Sequence, residues 1–426
     1  MKRSATRKQN TSPDKDTAIL GVDAAQYKWN VYTELRDEGF EGEHENRSDV
    51  AERELTALRD QALSLGYTRV LLLCEPSGGC EQVVVSTARR LGIDTAWVSA
   101  EAVCKMRTVE SNDSGKTDIK DPRVIHLLGR LGRTQKQRVL PVPYTLLRQW
   151  NAIYGAAEQE AAAAKCSIHR QIRAMFPDCS FKRDFLFGPS GQAVFERLGF
   201  NPYRIVKAGR RRLETILRKH CVRIQKASIE RLWRDAQLSV SHGVDQRVLA
   251  VQEKRLALLF EDLHLHRRRK EEAARAMEKL YAEARQLDPA LPEAQHGVVT
   301  TLHLARIVAV TGPLSDYLSF RQLLRYLGLN LRERQSGTYR GKTKLSKKGS
   351  RVGRQVLGHC VLALVKRDRL FGPAYHAKRE QGMPGNKAMT VMTRRFVKML
   401  YGWYRSGRNF DAVRVFASES QYREAA

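Results

Sequence analysis

The chain has 426 residues, of which 42% are hydrophobic, and it carries 75 lysines and arginines against 46 aspartates and glutamates. This length predicts about two or three domains, and the apolar fraction allows each a buried core, which excludes a chain that is disordered throughout. The formal net charge of +29 predicts a polyanionic partner. A compact protein this basic repels itself, and each neutralised phosphate releases counterions.

Among polyanions, nucleic acid fits the sequence better than a membrane surface. No apolar stretch approaches the roughly 20 residues that a spanning helix needs. Residues 1–15 are basic, lack the apolar core of a secretory signal and are predicted to form a disordered tail. The seven cysteines lie far apart and form no CxxC pair, which argues against a disulfide framework and a structural zinc site. We therefore expect no membrane partner and a reducing cytoplasm.

Residues 16–142 have the alternating pattern of an α/β domain. The first three predicted strands are TAILGVDA (17–24), KWNVYTEL (28–35) and the more polar FEGEHENR (40–47). A helix over 49–66 follows, with Asp49 as its cap and Gly66 as its stop. TRVLLLCEPSGG (68–79) is a continuous apolar run, which is typical of a buried parallel strand.

The pattern continues with another helix–strand repeat. The predicted elements are helix 80–92, strand 93–100, helix 101–111, helix 121–132 and strand 137–143. A hairpin followed by strand–helix repeats, with acids at the strand ends, predicts an RNase H-like (RuvC-like) fold in this part of an α/β plus α protein.

Pro141 and Pro143 predict a boundary, beyond which the sequence is mostly helical. Residues 143–288 are predicted to be a helical, basic and oligomerising region with cationic runs at Arg210, Arg211, Arg212, Arg267, Arg268 and Arg269. Near its end, apolar residues recur in steps of three and four, at Leu256, Phe260, Leu263, Ala274, Met277, Tyr281 and Ala284. Two interpretations stay open, a solvated helix packed within its own domain and a dimerising coiled coil. Residues 289–426 are predicted to be a third, mainly helical domain.

Four acids are candidates for a metal site, namely Asp23, Glu75, Asp118 and Asp121. Asp23 and Glu75 each end an apolar strand, where charge is costly unless it is paired or metal-bound, and acids at the ends of neighbouring parallel strands converge. Asp118 and Asp121 have the spacing that shares one helical face. Such carboxylates suit Mg²⁺ or Mn²⁺, which can clamp a scissile phosphate. Two structural roles stay open, a turn at Asp23 and an N-cap at Asp121, directly before Pro122.

The other candidate centre is Ser336, in the segment QSGTYRGKTKLSKKGSR. The surrounding cations are Arg332, Arg334, Arg340, Lys342, Lys344, Lys347, Lys348 and Arg351. A serine is a poor nucleophile unless activated, while neighbouring cations can hold a phosphate and stabilise developing charge. The absence of a GxSxG elbow argues against an acyl-transfer hydrolase. From the residues alone, a basic phosphate-binding loop with an incidental serine is the preferred interpretation.

Taken together and in order, these segments resemble a known family. The matching stretches are GVDAAQYKWNV, CEPSGG, KTDIKDPRVI, FRQLLRYLGLNLRERQSGTYRGKTKLSKKGSR and GNKAMTVMTRRFVKMLYG. The family is that of insertion-sequence transposases with an N-terminal RuvC-like Asp-Glu-Asp-Asp domain and a C-terminal serine domain, the bridge-RNA-guided recombinases. The resemblance spans nearly the whole chain. The middle helical region matches only in character, and Pro122 stands where the family tends to have alanine.

The resemblance implies a DNA transposase of a mobile element, working in a prokaryotic cytoplasm. It implies that Asp23, Glu75, Asp118 and Asp121 bind Mg²⁺ or Mn²⁺, and that Ser336 becomes covalently linked to DNA. It also implies a structured noncoding guide RNA that pairs with donor and target DNA. The expected assembly is a homo-oligomer, dimer or tetramer, in which the acids and the serine meet across subunits. Lys116 joins the cations named above as an expected contact to nucleic acid.

Two other classes of function stay open from the residues. A metal-dependent nuclease or junction resolvase would use the same acids to activate water, with no covalent intermediate. A basic nucleic-acid-binding protein with decayed acids would bind without metal and cleave nothing. The presence of all four acids counts against this last class.

Overall fold

The computed structural model describes residues 15–36, 38–111, 120–221, 224–333, 335–336, 339–341, 343–366 and 371–407. The chain divides into two compact units, Met1–Val139 and Leu140–Ala426. Residues 1–14 of the predicted tail lie outside the described residues. In the described part of the chain, no helix is both long enough and apolar enough to cross a membrane.

The first unit contains a mixed sheet with flanking helices. Its strands are β1 (Thr17–Ala24), β2 (Lys28–Leu35), β3 (Glu38–Glu45), β4 (Arg69–Cys74), β5 (Asp94–Trp97) and β6 (Gln135–Lys136). In space their order is β3-β2-β1-β4-β5-β6, with β1, β4 and β5 parallel and the other pairs antiparallel. The helices are α1 (Ser48–Ser64), α2 (Gln82–Arg90), α3 (Ala100–Ser111) and α4 (Lys120–Arg130). This arrangement confirms the predicted RNase H-like fold class.

Different helices cover the two faces of the central strand β1. Leu20 and Val22 belong to a core with residues of α1 and α2, whereas Ile19 packs with residues of α3 and α4. The alternation follows from the pleat, because successive side chains of a strand point to opposite faces. At Gly21 the backbone of α4 comes so close that an added Cβ would lie 2.2 Å from the carbonyl oxygen of Pro122.

Helix α1 confirms one of its two predicted end signals. Gly66 follows the last turn with a positive φ of 86°, a conformation that glycine adopts without steric cost. The predicted cap at Asp49 is wrong, because Arg47 is the N-cap residue and makes no side-chain cap bond. The Asp49 carboxylate instead accepts two hydrogen bonds from Arg47, at 3.1 and 3.0 Å.

The predicted strand at 137–143 is also wrong. The last strand of the sheet, β6, precedes it, and a helix begins at Val142. Pro141 and Pro143 explain the difference. Proline lacks the N–H that a strand ladder needs, but it fits the first turn of a helix.

The second unit is organised around two long antiparallel helices, α5 (Val142–Met175) and α11 (Gln246–Leu287). The Gln171 amide donates to the carbonyl oxygen of Gln252 over 3.4 Å, and Lys270 donates to Glu158 over 2.8 Å, so the helices run in opposite directions. The helices between them are α6 (Arg183–Leu186), α7 (Pro189–Leu198), α8 (Pro202–Ala208), α9 (Arg210–His220) and α10 (Lys226–Val240).

The apolar seam of α11 is buried inside this chain. Leu256 and Phe260 pack in a core with α7, α9 and α10. Met277 and Tyr281 pack with the C-terminal helices, which are α12 (Thr301–Thr311), α13 (Phe320–Tyr326), α14 (Arg351–Val365), α15 (Gly372–Glu380) and α16 (Gly385–Ser406). This burial favours the interpretation of the heptad-like pattern as a helix packed within its own chain, although part of the seam packs on helices beyond residue 288. Residues on both sides of position 288 belong to the core that contains Met277 and Tyr281. A functional boundary at that position stays a prediction.

Between α13 and α14 the described residues form two short antiparallel strand pairs within 331–345, where the sequence predicted a basic loop. The strands are β7 (Leu331–Arg332), β8 (Gln335–Ser336), β9 (Tyr339–Arg340) and β10 (Lys344–Leu345). β7 pairs with β10 and β8 with β9, both antiparallel. Each strand has two residues, which is too short for the alternation that marks a strand in a sequence. We call this element the serine hairpin.

Candidate active site

Asp23 and Glu75 lie side by side at one end of the sheet. In the parallel pair β1–β4, Val22 stands opposite Cys74. Asp23 is the next residue of β1 and Glu75 directly follows β4, so the two acids adjoin the last paired positions of strands that lie about 4.8 Å apart. Val22 and Cys74 face the core of α1 and α2, so the alternation directs Asp23 to the opposite face, which α4 covers. The electrostatic effect of Glu75 on Arg107 of α3 puts Glu75 near the same side. The backbone thus brings two of the four predicted acids together.

Cys74 directly precedes Glu75 in the chain, but its thiol does not qualify as a nucleophile. Burial raises its pKa far above the ordinary value, and the carboxylates of Glu81, Asp23 and Glu75 raise it further. Only the thiolate is nucleophilic. Cys74 is therefore a buried strand residue.

Asp121 reaches the same face of the sheet from α4. This helix runs against the direction of β1, because Gly21 meets Pro122 near the start of α4 and Ile19 meets Gly129 near its end. The first turn of α4 therefore lies toward the end of β1 that carries the acid. Asp121 is inside that turn and 2% exposed, so it is not the N-cap of a helix that begins at Pro122.

Arg107, on α3, is a member of this cluster that the sequence did not reveal. It donates two hydrogen bonds to the Asp121 carboxylate, from Nε to Oδ1 and from the guanidinium to Oδ2 at 2.6 Å. The side chains are 12% and 3% exposed, respectively. The bonds to Asp121 raise the pKa of Arg107, and the negative charge of Glu75 contributes to the same effect. The guanidinium therefore lies within the field of two acids of the candidate site.

These residues fit a divalent cation in their chemistry. Carboxylate oxygens are the ligands that Mg²⁺ and Mn²⁺ prefer. Among the described residues, no three acid, histidine or cysteine side chains are grouped closely enough to hold a metal ion. Asp118, the fourth predicted ligand, lies outside the described residues. The Arg107 guanidinium, held by Asp121, demonstrates that a positive charge is accommodated at this edge of the sheet.

Two polar side chains hold the loops that follow the acids. Glu81 is 5% exposed, and its Oε2 accepts hydrogen bonds from the backbone N–H groups of Ser77 and Gly79 and from the Ser77 hydroxyl, at 2.9–3.2 Å. Asn46 Nδ2 donates to the carbonyl oxygens of Ala25 and Cys80, each at 2.8 Å. Asn46 thereby joins the loop after β1 to the loop after β4.

Ser336 is exposed on the serine hairpin and pairs with Tyr339 across it. The predicted cations that are described with exposed side chains are Arg332, Lys344, Lys347, Lys348 and Arg351. Arg340 lies in β9, whereas Arg334 and Lys342 lie outside the described residues. The base of the hairpin is held by the hydroxyl of Ser346, which donates to Asn330 Oδ1 over 2.6 Å. The structure thus presents an exposed serine in a segment whose described neighbours along the chain include exposed cations.

Helix α9 carries the first predicted cationic run beside an open cleft. Arg210 forms an ion pair with Glu230, whereas Arg211 and Arg212 are exposed. The cleft has a volume of about 830 Å³, and its lining includes Arg211, Arg212, Arg218 and Lys226. Its charge suits an anionic ligand.

The second run lies on α11, where Arg268 and Arg269 are exposed and Arg267 is half-buried. Burial lowers the pKa of Lys165 on α5, and the positive charge of Arg267 lowers it further. The long helices therefore carry a concentrated positive charge at this point. Lys116, the remaining predicted contact, lies outside the described residues.

Comparison with protein families places both candidate centres in a single class of enzyme. Residues 20–177, which contain the predicted acids, match the DEDD transposase model of the IS110 class. Residues 297–376, which contain Ser336, match the model described as the transposase IS116/IS110/IS902 family. No curated protein matched the chain. The chain therefore belongs to the IS110 family of insertion-sequence transposases, enzymes that process DNA.

Proposed function

We propose that this transposase cleaves and exchanges DNA strands through a covalent serine–DNA intermediate, with a divalent cation held by the acids. The observation that carries the proposal is the alignment of Asp23 with Glu75 at the ends of adjacent parallel strands, with Asp121 on the same face. Buried or half-buried acids repel a phosphate unless a cation lies between them. The exposed Ser336, in a segment rich in cations, would supply the nucleophile.

Asp23, Glu75, Asp118 and Asp121 would hold Mg²⁺ or Mn²⁺, which when bound neutralises charge on a scissile phosphate and polarises it. The Ser336 hydroxyl would give up its proton as its oxygen bonds to the phosphorus, and the bond to the departing DNA oxygen would break as that oxygen takes up a proton. The cations of the serine hairpin would hold the phosphate and stabilise the charge that develops on it. Attack by another DNA hydroxyl would reverse the step. The phosphoester bond is conserved in the link, so no external energy source is required.

We propose in addition that a structured noncoding guide RNA pairs with donor and target DNA, and that the active form is a homo-oligomer. The resemblance of the motifs supports both points. The exposed arginines of α9 and α11 support contacts to nucleic-acid backbone, which do not themselves read sequence. The seven cysteines are free thiols, which supports a reducing cytoplasm as the place of the reaction.

The covalent link is the step that an experiment can test most directly. The protein is incubated with Mg²⁺, the transcript encoded beside its gene and DNA substrates, and then denatured. We expect a protein–DNA species whose nucleotide maps to Ser336 by mass spectrometry. Ser336→Ala should lose this species and recombination while it keeps DNA binding. Asp23→Asn, or a chelator added to the wild type, should abolish cleavage.

Thr343→Ala is the matched control, because Thr343 is an exposed hydroxyl residue on the same hairpin. Ser346 and Ser350 are less suitable, since the first bonds Asn330 and the second caps α14. A junction resolvase that activates water predicts the opposite result. Cleavage by Ser336→Ala at the wild-type rate would contradict the covalent mechanism, and full cleavage in chelator would contradict the metal site.

A further inference from the structure

The ion pair between Arg107 and Asp121 occupies an acid that the proposed function assigns to the metal. Both Asp121 oxygens accept from the guanidinium, and the carboxylate is 3% exposed, so water has little access to it. A carboxylate this deeply buried is costly unless a cation balances it. Arg107 supplies that cation.

A guanidinium and a metal ion cannot both hold the two oxygens of one carboxylate. The planar guanidinium matches the two oxygens with parallel hydrogen bonds, a geometry that an ammonium does not reproduce. A metal ion that takes an Asp121 oxygen must therefore break at least one of these bonds. Glu75 acts on Arg107 as well, so the guanidinium has a second acid within range when it leaves Asp121.

We propose that Arg107 is a positioning residue that holds Asp121 in the metal-free protein and must be displaced when the divalent cation binds. This inference rests on the proposed metal site. In this role Arg107 lowers the affinity of the site for the metal and stabilises the metal-free fold. A structural arginine that merely orients Asp121 for the metal would have the opposite effect on affinity. The sign of the change in metal affinity therefore separates the two roles.

The experiment measures Mn²⁺ binding to the full chain by electron paramagnetic resonance, without nucleic acid, and thermal unfolding with and without Mn²⁺. For Arg107→Gln we expect at least tenfold tighter Mn²⁺ binding than for the wild type. We also expect a lower Tm without metal and a larger rise in Tm on adding Mn²⁺, because binding to the native state stabilises it. Arg107→Lys keeps the charge but loses the paired hydrogen bonds, so its Mn²⁺ affinity should lie between those of the wild type and Arg107→Gln.

Lys105→Gln is the control, because Lys105 is exposed on the same helix and its removal takes away the same charge. It should change the dissociation constant for Mn²⁺ by less than a factor of about two, which corresponds to roughly 0.4 kcal/mol. Should Arg107→Gln fail to fold, Arg107→Lys still gives the sign. If the wild type binds Mn²⁺ and the Arg107 variants bind it equally or more weakly, the displacement of Arg107 by the metal would be overturned but the proposed function would not. Absence of Mn²⁺ binding in the wild type would overturn both.

Discussion

At the residue scale, Asn46 is the side chain that joins the loops that follow β1 and β4. Its Nδ2 donates hydrogen bonds to the carbonyl oxygens of Ala25 and Cys80. Its Oδ1 is buried with no hydrogen-bond partner among the described residues. Asn46→Asp replaces the donor with a charged acceptor that faces the same two carbonyls. We expect a loss of about 1–3 kcal/mol in the free energy of unfolding, from the lost bonds and the repulsion, together with reduced DNA cleavage.

Urea denaturation and a cleavage assay check this expectation. Asn386→Asp is the control, because Asn386 is exposed on α16, and exposed substitutions usually change stability by less than about 0.5 kcal/mol. Equal effects of the two substitutions would contradict a joining role for Asn46.

A second prediction at this scale concerns His126, which is 3% exposed on the face of the sheet that carries the acids. Burial lowers its pKa below the ordinary 6.5, with Glu34 opposing and Arg130 assisting the shift. The unfolded chain therefore binds a proton at a higher pH than the folded chain. The stability that neutral His126 contributes is complete above about pH 7 and is lost as the pH falls through 6.5 toward the folded pKa.

His126→Gln should therefore flatten the decline in Tm between about pH 7 and pH 5. The flattening should be partial, because burial also lowers the pKa values of His44 and His303. An unchanged pH profile would contradict the assignment.

The residues of the site differ in how far the sequence could predict them. Asp23 and Glu75 were predicted because each ends an apolar run, where an acid is conspicuous. Arg107 and Asn46 gave no such signal, because their partners are distant in the sequence. One arginine among 75 basic residues stands out only when the fold brings it to an acid.

At the element scale, periodicity predicted the long elements well. The strands β1 and β2 have the predicted bounds, because one is a buried apolar run and the other alternates. The short strands of the serine hairpin have no period to detect. The packing of α11 on α5 could not be predicted either, since an apolar seam does not reveal whether its partner is in the same chain.

The close approach of α4 to β1 gives a prediction at this scale. A Cβ at position 21 would lie 2.2 Å from the carbonyl oxygen of Pro122 and 2.7 Å from the backbone nitrogen of His126. Backbone atoms cannot rotate away, so Gly21→Ala must move α4, and Asp121 with it. We expect a loss of about 1–3 kcal/mol in stability, with impaired cleavage.

The control is Gly155→Ala in the middle of α5, where an added Cβ meets no described atom within 4 Å. Alanine is the better helix former, so this substitution should raise stability by about 0.5–1 kcal/mol. Thermal unfolding compares the two variants. A Gly21→Ala protein as stable as the wild type would show that α4 is not tightly seated.

At the scale of the whole molecule, the net charge of +29 predicts the class of partner but not the contact surface. Many of the cations are already paired, as Arg210 is with Glu230. The exposed Arg211 and Arg212, beside a cleft that they help to line, are the stronger candidates for phosphate contacts. Within this basic run, the structure thus leaves two candidate phosphate contacts, Arg211 and Arg212, which a double variant can test.

Each phosphate contact contributes about 0.9 to the slope of log affinity against log salt for duplex DNA. The double variant Arg211→Gln/Arg212→Gln should therefore reduce the magnitude of that slope by up to about 2, as measured by fluorescence anisotropy over a salt series. A variant that removes the same charge elsewhere separates contact from net charge. Arg53→Gln/Arg90→Gln serves, because both arginines are exposed and ion-paired with Glu54 and Glu52. If the two double variants have the same slope, the α9 arginines act only through the overall field, and the cleft is not a phosphate site.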